Sequence, residues 1–396
     1  MFKHTLHILS LVLILSIHFE VSGQSTIDES QETSGKSEKS KKISFRHPED
    51  GALDLSEFLV SPVGFFPVPI IITEPAVGYG GGAALIFFHP QKKKYSKPVP
   101  PNISGAIGLA TQNKTWLAGG FHSHVFGEDR VRTLSVIAKP NVRIKYYGNN
   151  SEILSEFPIT LKLDSWLFMQ RALVRLGSSN WFAGASYIYF YSKVGVQLDR
   201  EIPIISPILE RLQGNSVISS IKPRINFDNR NNTISPTNGF NTGAIFNINA
   251  KWLGADEDYY SMNEYLLAYY PVSEKLFSSY RFDASQLIGD APLYAYPFVD
   301  LRGIPALRYQ SNNTAIIETE WRYELFRRWS VMGFTGAGKA YQSLENFNDI
   351  DWAYTFGTGA RYNIAKALGL QTGVDFAWGN GKDFTFYIVA GTSWSK

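Results

Sequence analysis

Cysteine is absent from the 396-residue chain, and charged residues make up only 18% of it, below the roughly 25% usual in soluble domains. Without cysteine there is no disulfide framework, no thiolate zinc site, no iron-sulfur cluster and no cysteine nucleophile. An excess of charge of one sign is missing too. Lys and Arg number 38 against 35 Asp and Glu, a formal net charge of +3, too close to balance to argue for a nucleic-acid footprint. Beyond the amino end no run of 18 apolar residues occurs, so no helical membrane span is expected.

What the chain does contain is glycine and aromatic side chains, with 33 Gly, 9 Trp, 21 Tyr and 27 Phe, a mixture that leans toward β structure. At the amino end Lys3 precedes the apolar run TLHILSLVLILSI, and the small-residue pattern Val21-Ser22-Gly23 precedes Gln24, the layout of a secretory signal peptide. The expected organisation is a signal peptide over 1–23, a flexible periplasmic leader over 24–57 and a folded unit over 58–396. The leader is polar and poor in aromatics, too little apolar surface to offset the entropy of ordering. Its basic cluster Lys36, Lys39, Lys41 and Lys42 reads as a solvated tail.

From Gly64 onward, segments with period-2 polarity alternate with short Gly, Asn, Asp and Pro clusters, which predicts an all-β fold. In TAIIETEWRYEL (314–325), Glu318, Glu320, Arg322 and Glu324 share one face and Ile317, Thr319, Trp321, Tyr323 and Leu325 the other. Segments 217–228 and 367–379 repeat the pattern. A soluble sandwich also alternates, but here the polar faces carry Gly and paired opposite charges, as in a crowded polar lumen. The apolar faces finish in aromatics (Trp116, Trp181, Trp252, Trp321, Trp378, Trp394), as in interfacial girdles. In lipid, only a closed sheet pairs every strand backbone group. The reading is a 16-stranded antiparallel transmembrane β-barrel of the bacterial outer membrane, with strands expected from 64–73 to 384–395 and the first rising from the periplasm. Its long connections, 147–156, 198–215, 290–310 and 342–351, then fall outside; the 89–101 link is long on the wrong side.

Three spaced motifs resemble the BamA/TamA-like outer-membrane barrel family, the bacterial surface-antigen barrels. FDNRNNTISPTNGF (227–240) is similar to the family's periplasmic turn, with Asp228 and Arg230 as the charged pair and Pro236, Thr237 and Gly239 in the turn. LRGIP (301–305) resembles the Arg-Gly tip of the extracellular loop that folds into the lumen. The closing series ETEWRYELFRRWSVMGFTGAGKAY and GTGARYN, with ITEPAVGYGGGAALIFF near the start, completes a likeness over residues 58 to 396. The resemblance implies a loop lock in which Arg302, beside Gly303, meets inward Glu320 and Glu318. Where the family carries an acid after the aromatic of the next strand, this chain has Gly336, so the lock is expected to be thinner or rewired through Arg361 and Asp375. The resemblance also implies a POTRA-less, barrel-only member. Some family members have a weakly paired seam between first and last strands. Pro67 and Pro69 in the first strand and Gly391 in the last mark that seam here, because proline is tolerated only at sheet edges.

No G-x-S-x-G elbow occurs, and GYGGGA (78–83) lacks the helix and acidic residue a dinucleotide site needs. His122 and His124 share a strand face, taken as the lumen, and read as a hydrogen-bonded pair rather than a metal site. The chain is thus expected to be non-catalytic, with neither cofactor nor metal, and to assist membrane insertion or lipid or protein handling. A gated or passive channel and a structural self-associating barrel are the alternatives. Outer-membrane lipid is the expected partner, with a homodimer or other outer-membrane proteins as further partners and no nucleic acid.

Overall fold

A computed structural model describes residues 44–57, 64–89, 99, 102–148, 154, 158–197 and 213–394; the expected signal peptide and the basic cluster of the leader lie outside the described residues. Sixteen strands follow in chain order: β1 (Gly64–Ile72), β2 (Gly80–Phe88), β3 (Ile103–Thr111), β4 (Trp116–Phe126), β5 (Val131–Tyr146), β6 (Ile159–Arg175), β7 (Trp181–Gln197) and β8 (Gly214–Asp228) form the first half. The second half is β9 (Gly239–Asn249), β10 (Tyr259–Pro271), β11 (Leu276–Gly289), β12 (Asn313–Phe326), β13 (Trp329–Tyr341), β14 (Ala353–Ala365), β15 (Leu370–Gly379) and β16 (Asp383–Ala390). Each pairs antiparallel with its sequence neighbours in one sheet of order β1 to β16, a nearly closed barrel. β1 and β16 are its two edges.

The outward face carries the side chains that suit hydrocarbon. Ile317 is 58% exposed, and Trp166, Phe168, Phe246, Phe282, Trp321, Phe356 and Phe376 stand out beside it. Along β12 the next residue inward is buried each time: Thr314, Ile316 and Glu318. Nine to eleven residues suffice to cross a bilayer, yet β5, β6 and β7 have 16, 17 and 17. Their excess projects at the long-loop end, and below it Lys139 pairs with Asp164 at 2.6 Å and sits 5.1 Å over the Trp166 ring.

The interior corrects the expectation of a uniformly polar lumen. The inner wall of β1 to β7 is largely apolar: Ile86, Phe88, Ile103, Leu134, Ile144, Leu161, Leu163 and Phe190 belong to one buried cluster. Tyr294, Phe298, Ala306 and Leu307 of the β11–β12 connection join it. Much of this half of the barrel is apolar on both faces because the inward face packs against protein rather than water.

Two ends also differ from expectation. The last strand stops at Ala390 rather than 395, because Gly391 takes φ +80° and turns the chain inward. Trp394 is only 5% exposed and packs against Tyr265, Leu267 and Tyr269 inside the barrel, not in a lipid-facing girdle. Within the expected flexible leader, residues 44–57 form a strap under the short-turn end. Leu55 donates its backbone N–H to the Ile364 carbonyl (2.7 Å), Tyr362 Oη donates to Leu53 O (2.9 Å), and Ala367 N–H donates to Ser56 Oγ (2.9 Å). Arg328, in the β12–β13 turn, closes on Asp50 and Asp54, each at 2.7 Å. Its guanidinium holds the Asp50 carboxyl down at about 2. Specific ion pairs and backbone bonds thus order a polar segment that has no apolar core of its own.

Candidate functional site

The β11–β12 connection descends into the lumen and presents Arg302 to the inner faces of β12 to β16. Gly303 follows at φ +86°, a conformation that L side chains rarely adopt, and its N–H donates to Tyr387 Oη at 2.9 Å. The guanidinium of Arg302 meets Glu318 Oε1 through Nε (2.9 Å), Glu320 Oε2 (3.0 Å) and Asp375 Oδ2 (3.0 Å). It also lies 3.5 Å from the centroid of the Phe334 ring, so a flat cation is clamped at its edges by acids and on its face by an aromatic.

The cluster extends beyond that clamp. Arg281 on β11 contacts Asp300 of the loop (3.1 Å), Glu318 (3.3 Å) and Asp283 (3.5 Å). Arg361 on β14 pairs with Asp375, with Nη2 to Oδ2 at 2.9 Å. Three guanidinium groups therefore face five carboxylates, and period-2 alternation places all the strand members inward. The tail beyond β16 enters the same network. Trp394 Nε1 donates to Glu318 Oε2 (2.8 Å), Ser393 Oγ donates to Glu320 Oε2 (3.0 Å), and Arg302 Nη1 donates to Ser393 Oγ (3.2 Å).

Gly336 has a local reason. A Cβ there would come within 2.9 Å of Leu301 Cδ2 and 3.0 Å of Glu318 Cγ. The space an acid would need on β13 is taken by the loop, and the negative charge sits instead on Asp375, two strands away.

The periplasmic-turn residues come together at the short-turn end. Arg230 forks onto Asp228, Nε to Oδ1 at 2.8 Å and Nη2 to Oδ2 at 2.6 Å. Asn231 Oδ1 accepts the N–H groups of Thr237 and Asn238, both at 3.1 Å, across the bend that holds Pro236. Gly239 sits at φ +97°. Asn232 Nδ2 reaches the Leu368 carbonyl at 2.9 Å, so this turn crosses under the barrel to the β14–β15 turn.

At the seam, Pro67 and Pro69 lie in β1, facing Leu85 and Ala83 of β2 in register, and each takes a backbone donor from that edge. Gly391 lies just past β16 rather than within it. Between the two edges, Thr385 Oγ1 donates to the Thr73 carbonyl at 3.4 Å, and the Tyr79 and Phe386 rings stack at 5.9 Å.

The histidines do not face the lumen. His122 and His124 alternate with inward Phe121, Ser123 and Val125, and so point out with Trp116 and Phe126. Ser104 Oγ bonds both His89 Nε2 and His122 Nδ1 at 2.8 Å, and Asn102 Nδ2 lies 3.4 Å from His124 Nε2. Among the described residues no group of His, Asp and Glu is arranged to hold a metal ion.

Sixteen antiparallel strands, an arginine-tipped loop in the lumen and, among the described residues, no ladder between β1 and β16 define the class: an outer-membrane β-barrel with the fold of the BamA/TamA-like kind. No protein-family model matches the chain, and no curated protein does. Among solved structures it is similar to BamA from Haemophilus ducreyi lacking POTRA domains 1-3, with 12% identity and a TM-score of 0.56 over 83% of this chain and 69% of that one. It is also similar to CdiB from Acinetobacter baumannii (10% identity, TM-score 0.52, 84% of this chain) and CdiB from Escherichia coli (10%, 0.54, 82%). It spans 60% and 62% of those CdiB chains, less than two thirds of either. At these identities the likeness is one of fold.

Asp375 and Arg361 are within reach of a sequence reading, since both sit on the polar side of an alternating segment. Ser393, Arg281 and Asp300 go unmarked in the sequence, Phe334 stands there only as the aromatic before Gly336, and Trp394 reads there as a girdle aromatic rather than a lumen residue. Arg281 and Asp283, two apart in YRFDAS, carry the inward-pair signal. The tail carries none except Gly391, which marks where the last strand ends.

Proposed function

We propose that this protein is a plugged, non-catalytic outer-membrane barrel that assists insertion or handling of lipid or protein clients, with Arg302 as the lock that keeps the β11–β12 loop in the lumen. The observation that carries this reading is the convergence of Glu318, Glu320 and Asp375 on one loop guanidinium beside two barrel edges with no ladder between them among the described residues. An edge strand offers unpaired backbone groups to an incoming strand, and Pro67 and Pro69 keep β1 from laddering fully with β16.

Two measurements test it. In planar bilayers the purified protein is expected to show negligible conductance, whereas large steady single-channel currents favour the channel reading. In liposomes, a urea-unfolded outer-membrane barrel is expected to reach its heat-resistant form faster when this protein is present; an unchanged rate overturns the insertion reading.

A further inference from the structure

The other charged region of the lumen has the opposite character. Arg171 on β6, Ser186 on β7 and Lys222 on β8 lie side by side in register, and Arg224 follows two residues along, beside Gly184 of β7. Their neighbours Phe168, Val174, Tyr189 and Ile225 are the exposed outward residues, so these four and Gly184 face the interior. With strands about 4.8 Å apart, the backbones at Arg171 and Lys222 stand about 10 Å from one another. The strand between them carries only a hydroxymethyl group and a hydrogen there. The result is a shallow cradle with long cationic walls.

What distinguishes it is that its two arginines meet no carboxylate among the described residues. Elsewhere in the lumen each arginine has an acid: Arg132 and Arg175 share Asp129, Arg230 has Asp228, Arg322 has Glu324, and Arg281, Arg302 and Arg361 share the acidic cluster. Neither Arg171 nor Arg224 reaches a carboxylate among the described residues. Arg224 touches the Tyr265 hydroxyl, yet its Nε is buried without an acceptor, and the Asn226 Oδ1 two residues further is buried without a donor. Nearby Asp228 and Asp129 are already taken by Arg230, Arg132 and Arg175. Glu264 of β10 points the other way, outward. Positive groups gathered in a confined space raise one another's energy, and a bound multivalent anion relieves it.

We propose that Arg171, Lys222 and Arg224 form an anion-binding cradle in the lumen for a phosphate-bearing ligand. Two guanidinium forks and an ammonium match the three free oxygens of a phosphate group better than they match a monovalent ion. A phosphate hydroxyl would donate to the orphaned Asn226 oxygen. The shared chemistry is the phosphate; its source is free phosphate or a phosphomonoester lipid headgroup.

The test uses the full chain in non-ionic detergent. Its thermal unfolding is followed by loss of the heat-resistant gel band, in phosphate and in chloride of equal ionic strength. A second arm compares micelles doped with phosphatidic acid against phosphatidylcholine. A rise of at least a few degrees in phosphate identifies free phosphate as sufficient; a rise with phosphatidic acid alone identifies the lipid source. Either shift is expected to disappear in Arg171→Gln/Arg224→Gln, to persist in Arg171→Lys/Arg224→Lys, and to be untouched by Lys193→Gln on the outer face. No shift in either arm, or a shift retained by the double Gln variant, overturns the proposal. Phosphorus-31 NMR of phosphate with the unaltered protein decides the matter if the Gln variant fails to assemble: line broadening that chloride does not displace supports the cradle, and an unbroadened line overturns it where phosphatidic acid also gave no shift.

Discussion

The indole N–H of Trp394 donates to Oε2 of Glu318 at 2.8 Å, while Oε1 of the same carboxylate accepts from Nε of Arg302 at 2.9 Å. One buried acid therefore holds both the loop that descends into the lumen and the tail that leaves the last strand. The pairing spans 76 residues for the tail and 16 for the loop.

Arg302→Ala leaves Glu320 without a cation and removes one of two from Glu318 and from Asp375. Breaking a buried pair costs on the order of 3 kcal/mol, so the heat-resistant gel form is expected to be lost at a lower temperature. Arg302→Lys keeps the charge but forfeits the fork and the flat contact with Phe334, and is expected to recover only part of the loss. An unchanged transition in both variants would show that the loop is held by other contacts.

Trp394→Ala removes a buried indole from between Tyr265, Leu267 and Tyr269 and is expected to cost about 3 to 5 kcal/mol. Trp394→Phe keeps most of the packing and loses the bond to Glu318, for about 1 to 3 kcal/mol. Detergent melts monitored by tryptophan fluorescence separate the two; an unchanged melt in Trp394→Phe would mean that the hydrogen bond contributes nothing.

Ile317→Arg places a charge on the hydrocarbon-facing side of β12, with an expected cost of about 2 to 4 kcal/mol near the midplane. Gln371→Arg, on the inner side of β15, is expected to be tolerated. Folding yield into liposomes checks the pair, and equal tolerance would reverse the assignment of inside and outside.

Glu74, in the β1–β2 turn, accepts from the Ala76 N–H at 3.2 Å, and burial pushes its carboxyl up to about 7 from 4.5. A carboxyl raised on folding favours the folded form while it stays protonated. Its contribution is therefore complete below about 4.5 and disappears as pH rises through about 7. Stability in detergent is expected to fall across that window, and Glu74→Gln to flatten the slope; a parallel profile in the variant would assign the titration elsewhere.

Strand number and order were legible because inward and outward residues differ sharply on strands such as β12, where Ile317, Trp321 and Tyr323 alternate with Glu318, Glu320 and Arg322. The face of His122 was not. On β3 and β4 the inward residues Ile107, Leu109 and Phe121 are apolar because other protein packs on them, so polarity no longer reports which side meets lipid. The end of β16 is hidden for a related reason: Trp394 continues an alternating pattern in one dimension, whereas Gly391 redirects it in three. The strap over 44–57 has a composition that reads as disordered, and the partners that order it, Arg328 and the Ile364 carbonyl, lie about 300 positions away along the chain.

That strap sets a leash. Its residue 57 sits near the β14–β15 turn and β1 begins at residue 64, so the intervening stretch can span at most roughly 25 Å. Should the two barrel edges part at their lower ends, β1 can swing only that far from β15 before Asp54 must let go of Arg328. The width of any doorway there is thus metered by seven links of backbone, and lengthening or cutting them becomes a way to adjust it.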